Sequence, residues 1–148
     1  MNKKGLWQHC LAQVEERALR FQKEMEGLQE ALTSETKNTT GDKHETGRAM
    51  VQLEQEKLSL QMQELEKAKQ TLKRINIGSN TVKIGLGSLV QTNMAHYFIA
   101  ISAGAYTQEG NTVYCISAGS PIAQLLIGKE KGENFVFNGK VQTILGVQ

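Results

Sequence analysis

The sequence predicts an α+β protein in which two long helices form an antiparallel coiled-coil hairpin and a small antiparallel sheet with one short helix follows. From Trp7 to Leu32, apolar residues recur at alternating spacings of four and three. This is the seam of a helix that supercoils against a partner helix. From Asn76 onward, glycine, β-branched and aromatic residues replace the Glu, Gln, Lys and Leu of the first half, which favours strands and turns. We therefore expect a helical hairpin over 1–75 and an α+β domain over 76–148.

Both predicted helices carry an apolar stripe. A polar segment, Thr33–Thr46, separates them and is expected to form an exposed tip over 34–46. In the second helix, Met50, Leu53 and Leu60 lie off the stripe and are expected to widen the buried face. The first stripe comprises Trp7, Leu11, Val14, Ala18, Phe21, Met25, Leu28 and Leu32, and the second comprises Val51, Gln55, Leu58, Met62, Leu65, Lys69 and Leu72.

The second half is expected to contain several strands. Tyr97, Ile99 and Ile101 alternate with Phe98 and Ala100, as in a strand, and residues 112–116 and 133–137 have strand-like composition. Asn138-Gly139 is a strong signal for a hairpin turn, and 141–147 would continue as the next strand.

A short helix is predicted between these strands. Ser120 is placed to cap it, Pro121 suits its first position, and Gly128 would end it. Its buried face would be formed by Ile122, Leu125 and Leu126.

Composition limits the classes of function. The net charge is +2, with 13 basic and 12 acidic residues through Arg74 and 4 basic and 3 acidic residues after it. The chain has no block of basic residues, so the sequence does not indicate tight direct binding to nucleic acid. The sequence predicts no membrane span and no signal peptide, because no apolar run is long enough. Cys10 and Cys115 form no metal-ligand pattern, so we expect ordinary buried thiols in a reducing cytoplasm.

The predicted tip carries two acids, Asp42 and Glu45, three positions apart. At the start of a helix they would share a face and could contribute ligands to Mg²⁺, although two carboxylates alone hold that ion poorly. The same residues also fit a capping box, which would stabilise the second helix. The two interpretations are compatible. His44 and Lys43 between them are expected to be solvated, with a ligand or phosphate contact as the alternative.

No other motif indicates catalysis. Gly85–Ser88 lacks the features of a phosphate-binding loop and is expected to form a turn or a strand entry. Ser117 and Ser120 have no nucleophile arrangement that the sequence reveals. We expect a protein without a stand-alone active site.

Two motifs carry a family resemblance. Residues 41–45 (GDKHE) match the tip motif Gly-Asp-x-x-Glu of the bacterial Gre transcript-cleavage factors. Residues 116–123 (ISAGSPIA), followed by 125–129 (LLIGK), resemble the second signature of that family. The order of a helical hairpin followed by an FKBP-like α+β domain is also similar.

The resemblance implies a transcription elongation factor that binds RNA polymerase. Gre factors pass their hairpin through the secondary channel, where tip acids help to hold Mg²⁺ supplied in the polymerase active site. Backtracked RNA is cut there, so contact with the nascent RNA 3′ end is indirect. By position, Asp42 and Glu45 would be the metal-facing acids. Ser120 and Pro121 would lie in the partner-binding part, and the free protein would bind no cofactor tightly.

The sequence departs from the family pattern after the tip acids. Cleavage factors usually continue Asn-Ala-x-Tyr, whereas residues 46–49 are TGRA. The tyrosine is missing, and Gly47 costs about 1 kcal/mol in a helix relative to alanine. One alternative is therefore a channel-binding regulator that does not stimulate cleavage. Another is a coiled-coil adaptor whose small domain binds a different protein. The oligomeric state stays open.

Overall fold

The computed structural model describes the backbone of residues 2–37 and 41–148, and the side chains of residues 2–34 and 46–148. Two long helices are followed by a six-stranded, mostly antiparallel sheet and one short helix, which confirms the predicted α+β class. The elements are α1 (Lys3–Lys37), α2 (Gly41–Arg74), β1 (Leu89–Thr92), β2 (His96–Ala100), β3 (Gly104–Gln108), β4 (Asn111–Ser117), α3 (Pro121–Leu126), β5 (Asn134–Phe137) and β6 (Lys140–Val147).

By its internal contacts the chain divides into two compact units. One consists of Met1–Gln13 together with Lys69–Gln148, and the other is Val14–Ala68. The first unit thus contains the sheet, α3 and the outer ends of both long helices. The domain boundary between residues 75 and 76 stays a prediction. No helix in the described part of the chain is long and apolar enough to cross a bilayer.

The unit Val14–Ala68 is built on the predicted stripes. Val14 and Leu58 are buried, at 3% and 2% exposure. Most other members of both stripes in this unit are half-buried, which is typical of a pair of helices with solvent on all other sides. These half-buried members are Phe21, Met25, Leu28, Leu32, Val51, Gln55, Met62 and Leu65.

Ala18 in this unit and Lys69, the first residue of α2 beyond it, are exceptions, because both are exposed. Arg17 and Ala68, one position earlier, are half-buried instead. Ala18 has no side chain beyond Cβ to extend toward a partner helix, whereas the long aliphatic stem of an arginine can lie along apolar surface. The Lys69 ammonium remains in water because burying an unpaired charge is costly.

The predicted widening of the second stripe is wrong. Met50, Leu53 and Leu60 are each 63% exposed. Leu53 and Leu60 each follow a stripe residue, Val51 and Leu58, by two positions. Two positions correspond to about 200° around a helix. These leucines therefore lie on the face opposite the seam.

The helices in this unit run antiparallel. Only residues 38–40 separate α1 from α2. Gln55 Nε2 nevertheless donates to Gln29 Oε1 at 3.2 Å, and these residues lie well inside their helices. A short connection allows that contact only if the second helix folds back along the first.

The sheet has the strand order β3-β4-β2-β1-β6-β5. All neighbouring strands pair antiparallel except β2 and β4, which are parallel with Phe98 opposite Cys115. The predicted all-antiparallel sheet is corrected at this pair. The sequence does not predict the edge strand β3. It runs antiparallel to β4, so the chain reverses direction between them and β4 lies parallel to β2.

The strand β2 is covered on both faces. Four of its five residues are buried, including neighbours that point to opposite sides. Tyr97 and Ile99 belong to a core that also contains Ile122 and Leu126 of α3. Phe98 lies on the other face, which the first turns of α1 and the last turn of α2 approach. There Leu6, Cys10 and Leu72 are at most 1% exposed.

Three contacts fix the start of α1 in this unit. Trp7 Nε1 donates to the Leu72 carbonyl at 2.9 Å, and His9 Nε2 lies 3.0 Å from the Ala103 carbonyl oxygen. The His9 ring also stacks on Tyr106 of β3, with ring centroids 4.7 Å apart. The first turns of α1 are therefore part of the packing of the sheet.

The predicted turns and the short helix are confirmed. Asn138 and Gly139 have φ angles of 52° and 76°, as a two-residue hairpin between β5 and β6 requires. Ser120 is the N-cap of α3, and its Oγ accepts from Ala123 N. Pro121 occupies the first position, and Gly128 follows the C-cap with φ 89°. Ala123 is buried together with Ile122 and Leu126, while Leu125 is half-buried.

Two leucines two positions apart on α2 test the seam. We expect Leu58→Ala to lower the free energy of unfolding by about 2–4 kcal/mol, because it leaves a cavity between the helices. Leu60→Ala removes the same atoms from an exposed site and should cost less than about 0.5 kcal/mol. Urea unfolding followed by far-UV circular dichroism measures both. Equal losses would contradict the assigned seam.

The cap of α3 can be tested separately. We expect Ser120→Ala to lower the free energy of unfolding by about 1 kcal/mol, because Ala123 N loses its acceptor. Ser120→Asp should retain most of the stability, since aspartate caps equally well. Thermal unfolding of the three proteins gives the comparison. An alanine variant as stable as wild type would mean that the cap contributes nothing.

Candidate functional site

The predicted tip acids lie near the start of α2. This helix begins at Gly41, the first residue of the motif, so positions 42 and 45 fall within its first two turns. Residues three apart on a helix are surface neighbours. The side chains of Asp42 and Glu45, and those of His44 and Lys43 between them, lie outside the described residues. The metal-ligating and capping interpretations both stay predictions.

Ser120 and Pro121 lie in the turn that joins β4 to α3. The Ser120 hydroxyl donates to the Ser117 carbonyl at 2.8 Å and accepts from Ala123 N at 3.4 Å. Gln124 Nε2 closes the same turn by donating to the Ala118 carbonyl at 2.6 Å. These bonds hold the turn in one conformation and occupy the serine hydroxyl. Pro121 is exposed beside it.

This arrangement defines what the turn can offer to a partner. The hydroxyl of Ser120 is engaged within the turn, whereas the ring of Pro121 is a rigid apolar surface with no N–H to satisfy. A partner would therefore contact the Pro121 ring and the exposed backbone of Gly119. The role of Ser120 would be to position that surface. Partner binding by Ser120 and Pro121 stays a prediction.

The predicted residues belong to different units. Positions 42 and 45 are in the unit Val14–Ala68, and positions 120 and 121 are in the unit that contains the sheet. Each pair is therefore described by itself. Among the residues whose side chains are described, no group of three His, Cys, Asp or Glu side chains could hold a metal ion.

A shallow polar depression was missed by the sequence analysis. It has a volume of about 430 Å³ and lies where β1, β2, β4 and β6 meet. Its polar side chains are Gln91, His96, Asn111 and Gln148, with Leu89, Gly146 and Val147 completing the lining. None of these side chains is a carboxylate, ammonium or guanidinium. Its residues are distant in sequence, and only the strand order brings them together.

No family model matches the chain, and no curated protein matches it. Among solved structures, the chain is similar to one titled "Structure of the transcription factor Gfh1". The identity is 20%, the match covers 95% of this chain and 92% of that chain, and the TM-score is 0.35.

Proposed function

We propose that this protein is a bacterial transcription elongation factor that binds RNA polymerase through the secondary channel and stimulates cleavage of backtracked nascent RNA. The main support is the position of the Gly-Asp-x-x-Glu motif. Its glycine is the first residue of α2, directly after the connection between two antiparallel helices. A motif at that connection lies at the opposite end of α1 from Lys3 and at the opposite end of α2 from Arg74.

The length of the helices supports the same proposal. Helix α1 has 35 residues and α2 has 34, and each is about 50 Å long at 1.5 Å per residue. Buried and half-buried stripe residues join them over the unit Val14–Ala68. Two helices that pack against each other resist bending better than one. Such a pair suits a protein that carries its acids into the active site of another enzyme.

The chemistry of the acids fits a contribution to a shared metal site. Two carboxylates provide few of the six oxygen ligands that Mg²⁺ requires, so the polymerase would supply the others. Asp42 and Glu45 would hold the ion there, and when bound it acts as a Lewis acid in phosphodiester hydrolysis. The free protein needs no metal of its own under this proposal.

The C-terminal signature supports a docking role for the second half. The turn at Ser117–Pro121 is closed by internal hydrogen bonds and presents an exposed proline. Preorganisation of this kind lowers the entropy cost of binding. We assign this turn to the contact with polymerase outside the channel.

A second candidate is a regulator that occupies the channel without stimulating cleavage. The observation that favours it is the sequence TGRA after the tip acids. Gly47 lies inside α2, where glycine costs about 1 kcal/mol relative to alanine. A helix weakened next to the acids would hold them less rigidly. The two candidates differ only in the chemistry at the tip.

The test is a double substitution, Asp42→Asn with Glu45→Gln. It removes two negative charges while it keeps side chains that cap and form helices. We expect the rate of RNA cleavage in a purified backtracked complex to fall about 100-fold or more, as when a charge-stabilising group is removed from an active site. Binding to polymerase should be retained.

A matched control is Glu54→Gln with Glu56→Gln. It removes the same charge from the same helix, two to three turns beyond the motif, and should leave cleavage unchanged. Normal stimulation by the Asp42/Glu45 variant would rule out the metal role. If the wild-type protein binds polymerase but does not stimulate cleavage, the result supports a channel-binding regulator. If it does not bind polymerase, the coiled-coil adaptor is the remaining alternative.

A further inference from the structure

The two cysteines of the chain, 105 positions apart, meet in the unit that contains the sheet. Cys10 follows Leu6 by one turn on the side of α1 that packs on the sheet, and both residues are 0% exposed. Cys115 lies on β4 and is 3% exposed, opposite Phe98 on β2. Both thiols are free. A side-chain hydrogen bond joins the two thiols across the contact between α1 and the sheet.

Neighbouring contacts hold this pair in place. His9 Nε2 lies 3.0 Å from the Ala103 carbonyl oxygen, and the Ala103 N–H donates to the Cys115 carbonyl at 3.2 Å. His9, which precedes Cys10, thus contacts Ala103, and Ala103 is hydrogen-bonded to the Cys115 carbonyl. The chain next to Cys10 is therefore linked to the backbone of Cys115 through Ala103.

The two sulfur atoms differ in acidity. A hydrogen bond with the Cys115 thiol, together with burial, raises the pKa of Cys10. The same hydrogen bond from Cys10 lowers the pKa of Cys115, against the effect of burial. Cys115 is therefore the sulfur that deprotonates first, and Cys10 is the neighbouring thiol. A thiolate beside a second thiol is the arrangement that a disulfide-forming pair requires.

We propose that Cys10 and Cys115 form a dithiol that a hydroperoxide oxidises to an intramolecular disulfide, which fastens the first turns of α1 to β4. The Cys115 thiolate attacks the peroxide oxygen, and the O–O bond breaks to give a sulfenic acid and water or an alcohol. The Cys10 sulfur then attacks the Cys115 sulfur, the S–O bond breaks, and water leaves with the Cys10 proton. Two electrons pass from the thiols to the peroxide.

Burial determines how this oxidation proceeds. Because both thiols are covered, the oxidant reaches them only when the first turns of α1 open locally. A small peroxide requires a smaller local opening than a bulky maleimide does, so we expect the peroxide to react faster. The disulfide then opposes the same opening that allowed it to form, so the modification keeps α1 on the sheet.

The experiment uses the full chain, reduced and then freed of reductant. Hydrogen peroxide is added, remaining thiols are blocked with N-ethylmaleimide in denaturant, and the intact mass is measured. We expect a monomer without maleimide that is about 2 Da lighter than the reduced chain, because two hydrogen atoms are lost. Its midpoint of thermal unfolding should exceed that of the reduced protein by about 5 °C or more.

Single variants provide the controls. Cys10→Ala and Cys115→Ala each leave one thiol and should give neither the lighter monomer nor the rise in the midpoint. Both variants are measured so that the control does not depend on the folding of one of them, and the wild-type result stands without them. Two maleimides per chain after oxidation, or disulfide-linked dimers alone, would overturn the proposal. A lighter monomer whose midpoint of thermal unfolding is unchanged would contradict the proposal that the disulfide holds α1 on β4.

Discussion

The fold depends on the burial of β2 from both sides. This strand lies inside the sheet, with β4 on one side and β1 on the other. Its alternate residues contact α3 on one face and approach the outer ends of the long helices on the other. Strands that are covered on both faces have continuously apolar sequences. Residues 97–100 are accordingly all apolar, and all four are buried. The ends of α1 and α2 are therefore needed to complete the core of the sheet.

This constraint explains the limits of sequence-based prediction in the second half. The turn at Asn138-Gly139 and the cap at Ser120 depend on neighbouring residues, so local chemistry predicts them correctly. The strands β1 and β3 are short, with four and five residues, and β3 is mostly exposed at the edge. Neither has the apolar alternation that identifies a strand. The parallel pairing of β2 with β4 follows from β3, so it was missed as well.

The helical half shows a different limit. The regular spacing of apolar residues predicts most of the buried and half-buried stripe, because helical geometry fixes which positions share a face. It does not predict how far a particular side chain extends. Ala18 and Lys69 are therefore exposed although they belong to the predicted stripes. The candidate site divides in the same way. Position along the helix was predictable for residues 42 and 45, whereas the polar depression around His96 depends on strand order.

The arrangement of the two units along the chain has a consequence for how this protein could vary in length. The unit Val14–Ala68 is a continuous insertion between two segments that fold together. Its stripes repeat in steps of three and four, so seven residues make two turns of seam. A change of seven residues in one helix must therefore be matched by seven in the other. Paired insertions or deletions of that size would alter the length of the hairpin while every contact of β2 stayed as it is.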